Sequence, residues 1–371
     1  MRNGLSPKTK RNLSRIIPFG VIWLLVGWFD LLTDAAATGN KNINPAVEIT
    51  LTPTVFIFAS LAVTVVGLSI GALEVYALKD LFSKYSFTRK LFYKFGFYTF
   101  FLFLVIVLTY PLAAGLELSR SPVDPAVWQK FYSFLLSGSF LSTMISLAFS
   151  TFLSLFYAGI SDNLGHNVLL NFFTGKYHKP VEENRIFMFL DMKSSTAIAE
   201  RLGHIRYFEF LREYYNDLSD AIVEHLGQVY QYVGDEIVIS WEIEEGLSDF
   251  NCIRCFFKMK DALSAKEAHY LKIYGVAPTF KAGIHLGLVT TGEIGALKKE
   301  IFFTGDVLNV TARIQGLCAT YGEELLVSHL LLSQLDLSRD YRHTSHGELK
   351  LKGRVKPIEI FSIRDAQVHR K

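Results

Sequence analysis

"QVYQYVGDEIVISW" (residues 228–241) decides the fold. Two runs rich in Val, Ile, Tyr and Trp flank Gly234-Asp235, which is the signature of a β-hairpin. Immediately upstream, "SSTAIAERLGHIRYFEFLREYYNDLSDAIVEHLG" (194–227) predicts a long helical region. Ser194, Ser195 and Thr196 offer caps at its start, Gly203 a break and Gly227 an end. Before that, "RIFMFLDM" (185–192) reads as a buried strand ending on Asp191. Downstream, a helix is expected from about Phe250 to Tyr274, and "TFKAGIHLGLVTTGEI" predicts two short strands. "DVLNVTARIQGLCAT" (306–320) predicts a helix with Val307, Val310, Ile314 and Leu317 on one stripe. "ELLVS", "GELKL" and "IEIFSI" add further strands. Strand, helix, hairpin, helix, strand is the order of a ferredoxin-like α+β sandwich with additions.

The first 160 residues read differently. Leu51–Leu73, Phe95–Leu116 and Phe131–Ile160 carry no charge, and each exceeds the roughly 20 residues that cross a bilayer as a helix. Ile16–Leu32 is shorter and contains Asp30. Its basic flank (Arg2, Lys8, Lys10, Arg11, Arg15) and the following Ala35-Ala36-Ala37 also fit a signal peptide, but Asp30 and the two Trp favour an anchor. About four spans are therefore expected. Lys79, Lys84, Arg89, Lys90 and Lys94 crowd the middle loop, whereas the outer loops hold few cations (Lys41; Arg120 and Lys130). The positive-inside rule then puts the N-terminus, the middle loop and everything after Ile160 in the cytoplasm. Asp30 and Glu74 near span ends are expected to reach the interface. The predicted division is a membrane domain (1–160), a polar connector (161–184) that would transmit motion of the spans, and a soluble domain (185–371). In the connector, Leu164, Val168, Leu169 and Phe172 have helical spacing. A net charge of +3 is too mild to argue for nucleic acid, and three cysteines in 371 residues make a disulfide scaffold a poor reading.

Asp191 and Asp235 carry the chemistry. In a ferredoxin-like sheet their strands are neighbours, so both carboxylates can face one point. Two close carboxylates repel, and a divalent cation removes the repulsion; Mg²⁺ suits a couple of carboxylates together with phosphate oxygens. A helix N-terminus directly after Asp191 favours phosphate as well. The plain alternative for Asp235 is a turn residue, since Gly-Asp is common in turns. His285 reads as a packed strand residue. Cys252-x-x-Cys255 has no second pair for zinc and reads as helix packing.

"FMFLDMKSST", "YQYVGDEIVIS", "FKAGIHLGLV", "GDVLNVTARI" and "LKLKGR" resemble, in order and approximate separation, the motifs of class III nucleotidyl cyclases. The resemblance covers about residues 185–363. It implies a head-to-tail homodimer with two sites at the interface. Asp191, Asp235 and the backbone carbonyl of Met192 would hold two divalent ions (Mg²⁺ or Mn²⁺). The other chain would supply Asn309 to orient the ribose, Arg313 for the reacting phosphate and Lys352 for the terminal phosphates. Lys281 matches an arginine that touches phosphates, and Ser195 and Thr196 lie at the phosphate-facing helix start. The implied reaction is attack of the ribose 3′-hydroxyl on the α-phosphate, with loss of pyrophosphate.

The purine positions fit neither pattern of that family. ATP-using members have Lys, and Asp or Thr, where this chain has Gln231 and Phe302; guanylate cyclases have Glu and Cys-like residues there. The implied activity is that of an integral membrane adenylate cyclase in a plasma or inner membrane, with ATP as substrate. The alternatives are a guanylate cyclase or a non-catalytic membrane receptor that keeps the fold. A diguanylate cyclase would need a second glycine where Val233 stands, and would leave Asn309, Arg313 and Lys352 without a role.

Overall fold

The computed structural model describes residues 6–39, 47–78, 87–164, 171, 174–297, 299–337, 341–350 and 357–366. Lys352, the loop cations Lys41, Lys79 and Lys84, and the connector positions Val168, Leu169 and Phe172 lie outside the described residues. The chain separates into Thr9–Leu170 and a second unit whose bulk is Asn171–Lys371.

The N-terminal unit is helical: α1 (Pro7–Thr38), α2 (Pro53–Ala72), α3 (Phe87–Leu118), α4 (Pro125–Leu135) and α5 (Gly138–Leu164). Among the described residues four helical stretches, Pro7–Ala37, Pro53–Leu78, Gly96–Leu118 and Gly138–Ser161, are long and apolar enough to cross a membrane. Two expectations change. The charge-free run 131–160 is not one helix. It breaks at Ser137, whose hydroxyl donates to the Phe134 carbonyl and accepts from the Phe140 N–H, so the long helix begins at Gly138. The other concerns Glu74, which is partnered within the helices rather than left open at the end of its span. Its side chain is 9% exposed and is met by the Lys94 ammonium and the Tyr98 hydroxyl, because an unpaired carboxylate there would be costly. Glu117 is treated the same way, with Lys130 and the Thr50 N–H as its partners.

The C-terminal unit is built on an eight-stranded sheet: β1 (Val181–Met192), β2 (Gln228–Val233), β3 (Glu236–Glu242), β4 (Phe280–Ile294), β5 (Glu300–Thr304), β6 (Leu325–Ser328), β7 (Tyr341–Leu349) and β8 (Ile358–Asp365). The order is β2-β3-β1-β4-β6-β8-β7, with β5 paired to β4. Among the described residues only the β4–β6 pair is parallel. β1 is central and alternates strictly. Ile186, Met188, Leu190 and Met192 face α6 (Ser195–Leu202), α7 (His204–Glu224), α8 (Asn251–Ala265) and α9 (Glu267–Tyr274). Phe187 faces the other way, where Val307 of α10 (Asp306–Tyr321) and Phe303 of β5 pack on it. Period-two alternation therefore puts Asp191 on the α10 side.

The local differences from expectation have visible causes. β1 begins four residues early, because Val181–Asn184 pair with Leu288–Thr291. That same continuous pairing merges the two strands expected in 279–294 into β4. The long helical region does break at Gly203, which takes a positive φ between α6 and α7. Ser194 is the N-cap of α6 but has a left-handed backbone, so its side chain makes no cap hydrogen bond. On α10 the apolar stripe ends on Cys318 rather than Leu317; its thiol lies against the Ala282 carbonyl.

Candidate active site

Asp191 stands one residue before the end of β1, opposite Glu236 on β3 and Lys281 on β4. The β2–β3 loop has two residues, Gly234 and Asp235. Gly234 has a φ of +64° and Asp235 a negative one, the pattern of a type II′ turn, which needs a glycine first. The hairpin thus delivers Asp235 beside Asp191, where the negative charge of Asp235 is felt by Asp191. The α7 residue Tyr215 secures the turn: its hydroxyl donates to the Gly234 carbonyl and its ring packs on Tyr232.

The pocket is acidic and only partly compensated. Asp191 Oδ2 receives Lys281 Nζ at 3.3 Å and Gln315 Nε2 at 3.2 Å. Even so, burial first and then the charge of Asp235 raise the Asp191 pKa above the ordinary carboxylate range, against the pull of Lys281. Burial, Asp191 and Asp235 raise Glu236 in the same way. Tyr207, Tyr214 and Tyr215 are also pushed up, by burial and by these aspartates. Oδ2 of Asp235 is buried without a hydrogen-bond partner among the described residues. A buried carboxylate oxygen without a partner, on a residue beside a second carboxylate of raised pKa, fits a hard divalent cation. Among the described residues no group of three His, Cys, Asp or Glu could hold a metal. The protein's share would thus be two carboxylates and a carbonyl, a set that suits Mg²⁺ completed by water or phosphate.

The other expected site residues fall into two groups. Met192 follows Asp191 directly, and Ser195 and Thr196 open α6 just beyond it; the Met192 side chain is in the core, and Ser195 is hydrogen-bonded to Tyr207. Asn309 is exposed and Arg313 half-buried on α10, and both lie roughly 120–160° around the helix from Gln315, which touches Asp191. They therefore lie on a different side of α10 from the residue that reaches Asp191. Gln231 is exposed on β2, and Phe302 is 45% exposed on β5. Their neighbours Tyr230 and Phe303 touch, with ring centres 4.8 Å apart, which brings these two strands together.

Two residues of the pocket, Gln315 and Tyr215, are absent from the sequence reading. Gln315 left a trace: it continues Val307 and Thr311 at a spacing of four on the core-facing side of α10, where a polar residue needs a partner. Tyr215 left none, since an aromatic on an amphipathic helix reads as core. His285 is a packed strand residue whose Nδ1 lies 2.7 Å from Ser328 Oγ. Cys252 and Cys255 are buried in the α8 core, where burial pushes the Cys252 thiol up to about 12.

Residues 177–365 match the family described as adenylate and guanylate cyclase catalytic domain. The chain is 36% identical over 209 residues to Adenylate cyclase 2 of Rhizobium meliloti (strain 1021), covering 56% of this chain and 58% of that protein. It is 28% identical over 182 residues to Adenylate cyclase 1 of the same organism, covering 47% of this chain and 27% of that one. The chain thus spans well under two thirds of these relatives' lengths. Among solved structures, one described as a bacterial light-regulated adenylyl cyclase aligns with a TM-score of 0.52 at 18% identity, over 62% of this chain and 67% of that one. At that identity the likeness concerns the fold.

Proposed function

The chain belongs to the family of adenylate and guanylate cyclase catalytic domains, and we propose that it is a membrane-bound adenylate cyclase converting ATP to 3′,5′-cyclic AMP and pyrophosphate. The observation that carries this reading is the facing pair Asp191 and Asp235 with its bare buried oxygen. The resemblance of the chain to two proteins named adenylate cyclase supports ATP as the nucleotide.

In this reading Asp191, Asp235 and the Met192 carbonyl hold divalent cations, Mg²⁺ or Mn²⁺, two per site. Bound there, the ions supply positive charge that acidifies a ribose hydroxyl and neutralises phosphate. The chain's own residues do the rest. Asn309 orients the ribose so that O3′ lines up with the α-phosphate. The O3′–P bond forms as the bond to pyrophosphate breaks, and Arg313 meets the charge that grows on the phosphate oxygens. Lys281 and Lys352 hold the outer phosphates, near Ser195, Thr196 and the amide groups at the start of α6. The amide of Gln231 can both donate to and accept from a purine edge, and Phe302 offers it an apolar wall. No side chain acts as nucleophile.

Asn309 and Arg313 lie on a different side of α10 from Gln315, which reaches Asp191 of the same chain, and this supports a homodimer in which each of two sites draws them from a second copy. The four apolar helices support an anchor in a plasma or inner membrane, and the cation-rich middle loop supports a cytoplasmic catalytic domain. The domains are accordingly an anchor (1–160), a connector (161–184) and the cyclase domain (185–371).

The test is incubation of the purified full chain with Mn²⁺ and labelled ATP or GTP. Cyclic AMP as the main product supports the reading. Cyclic GMP would make the protein a guanylate cyclase, and no cyclic product would leave a receptor that keeps the fold.

A further inference from the structure

The two aspartates are unequally provided with partners. Asp191 Oδ2 takes Lys281 Nζ at 3.3 Å and Gln315 Nε2 at 3.2 Å, whereas Asp235 Oδ2 takes none among the described residues. The two donors also differ in kind. Gln315 is neutral and rigidly seated: α10 approaches β4 so closely that a Cβ on Gly283 would come within 2.3 Å of the Gln315 backbone N. Lys281 is charged, sits on β4 directly opposite Asp191, and keeps its side chain 21% exposed. Its long flexible stem lets the ammonium swing without moving the strand.

From this arrangement we propose that Lys281 is an internal counter-ion, which holds the carboxylate pair before a cation arrives and leaves Asp191 when one binds. The proposal rests on the cation-binding reading of Asp191 and Asp235. Carboxylates sharing a pocket repel, and an ammonium on one of them relieves that repulsion. A divalent ion against the same oxygen would face a like charge at close range, so the ammonium must move aside. Because β4 fixes its stem, the released ammonium stays at the rim of the pocket, where a phosphate can take it. Nucleotide and cation then assist one another, and by linkage the assistance is equal in both directions. Gln315 keeps its place and holds Asp191 throughout.

A merely structural lysine predicts the opposite sign, since its loss would loosen Asp191 and weaken cation binding. The experiment is a titration of the full chain in lipid nanodiscs with Mn²⁺, without nucleotide, reading free Mn²⁺ by electron paramagnetic resonance. Lys281→Met and Lys281→Gln should each bind Mn²⁺ roughly fivefold more tightly than wild type, the scale expected for removing one partly exposed charge pair. In an Asp191→Asn background, Lys281→Met should bring no tightening. Unchanged or weaker Mn²⁺ binding in both single variants, with wild-type binding intact, overturns the counter-ion role. Wild-type binding that Asp191→Asn leaves undiminished overturns the underlying cation reading instead.

Discussion

At the scale of single residues, Asp191 is kept in a state that costs the fold something. The Asp191 pKa is raised, so the folded chain holds its proton more tightly than the unfolded chain does. Its contribution to stability is therefore full below the ordinary carboxylate pKa and is lost as pH rises through the raised value. Without divalent cation, Asp191→Asn should melt at or above wild type near neutral pH, and the gap should close in acid; thermal unfolding with a chelator checks this. The same substitution, and Asp235→Asn, should lower cyclic nucleotide formation by about 10²-fold or more, as loss of a main transition-state partner does. Cation affinity should climb with pH until Asp191 is ionised; a Mn²⁺ titration at several pH values reads it. For the purine, Gln231→Glu combined with Phe302→Cys should move the ratio of kcat/KM toward GTP by roughly tenfold or more, the scale of a changed hydrogen-bonding set. An unchanged ratio would remove both residues from the purine pocket.

At the scale of elements, α10 is the part on which most depends. One side packs Val310 and Ile314 on the sheet, Gln315 reaches Asp191, and the flank carries Asn309 and Arg313. Gly283 sets how near the helix can come. Gly283→Ala should cost about 2 kcal/mol through overpacking, seen as a fall in Tm of roughly 4–8 °C. It should also reduce activity, because any shift of α10 moves Gln315 off Asp191 and displaces Asn309 together with it. If the variant keeps both its Tm and its activity, the helix is not seated by that glycine. The sequence made α10 legible through its stripe, and the β2–β3 hairpin through Gly234. It misjudged the length of β1 and split β4, because strand ends are set by what pairs with them. The residues that extend β1 lie about a hundred positions away in β4.

At the scale of the whole molecule, the proposed sites are shared between copies. Asn309→Ala and Asp235→Ala should each be inactive as homodimers. Mixed and allowed to exchange, they should recover about a quarter of wild-type activity, since half of the random dimers are mixed and each has one intact site. No recovery after proven exchange would place each site within one chain.

The division between a long apolar helical half and a mixed α/β half followed from the sequence alone, because span length and hydrophobic period are local properties. So did the two aspartates, each marked by the end of an apolar strand or by a turn glycine. Tertiary structure alone decided what stands around them. Gln315 and Tyr215 are distant from Asp191 and Gly234 along the chain, and Glu74 and Lys94 find each other only across two helices. The reason is physical. A backbone's local preference is written in neighbouring residues, but the partner of a buried charge is whichever group the packed fold brings within reach.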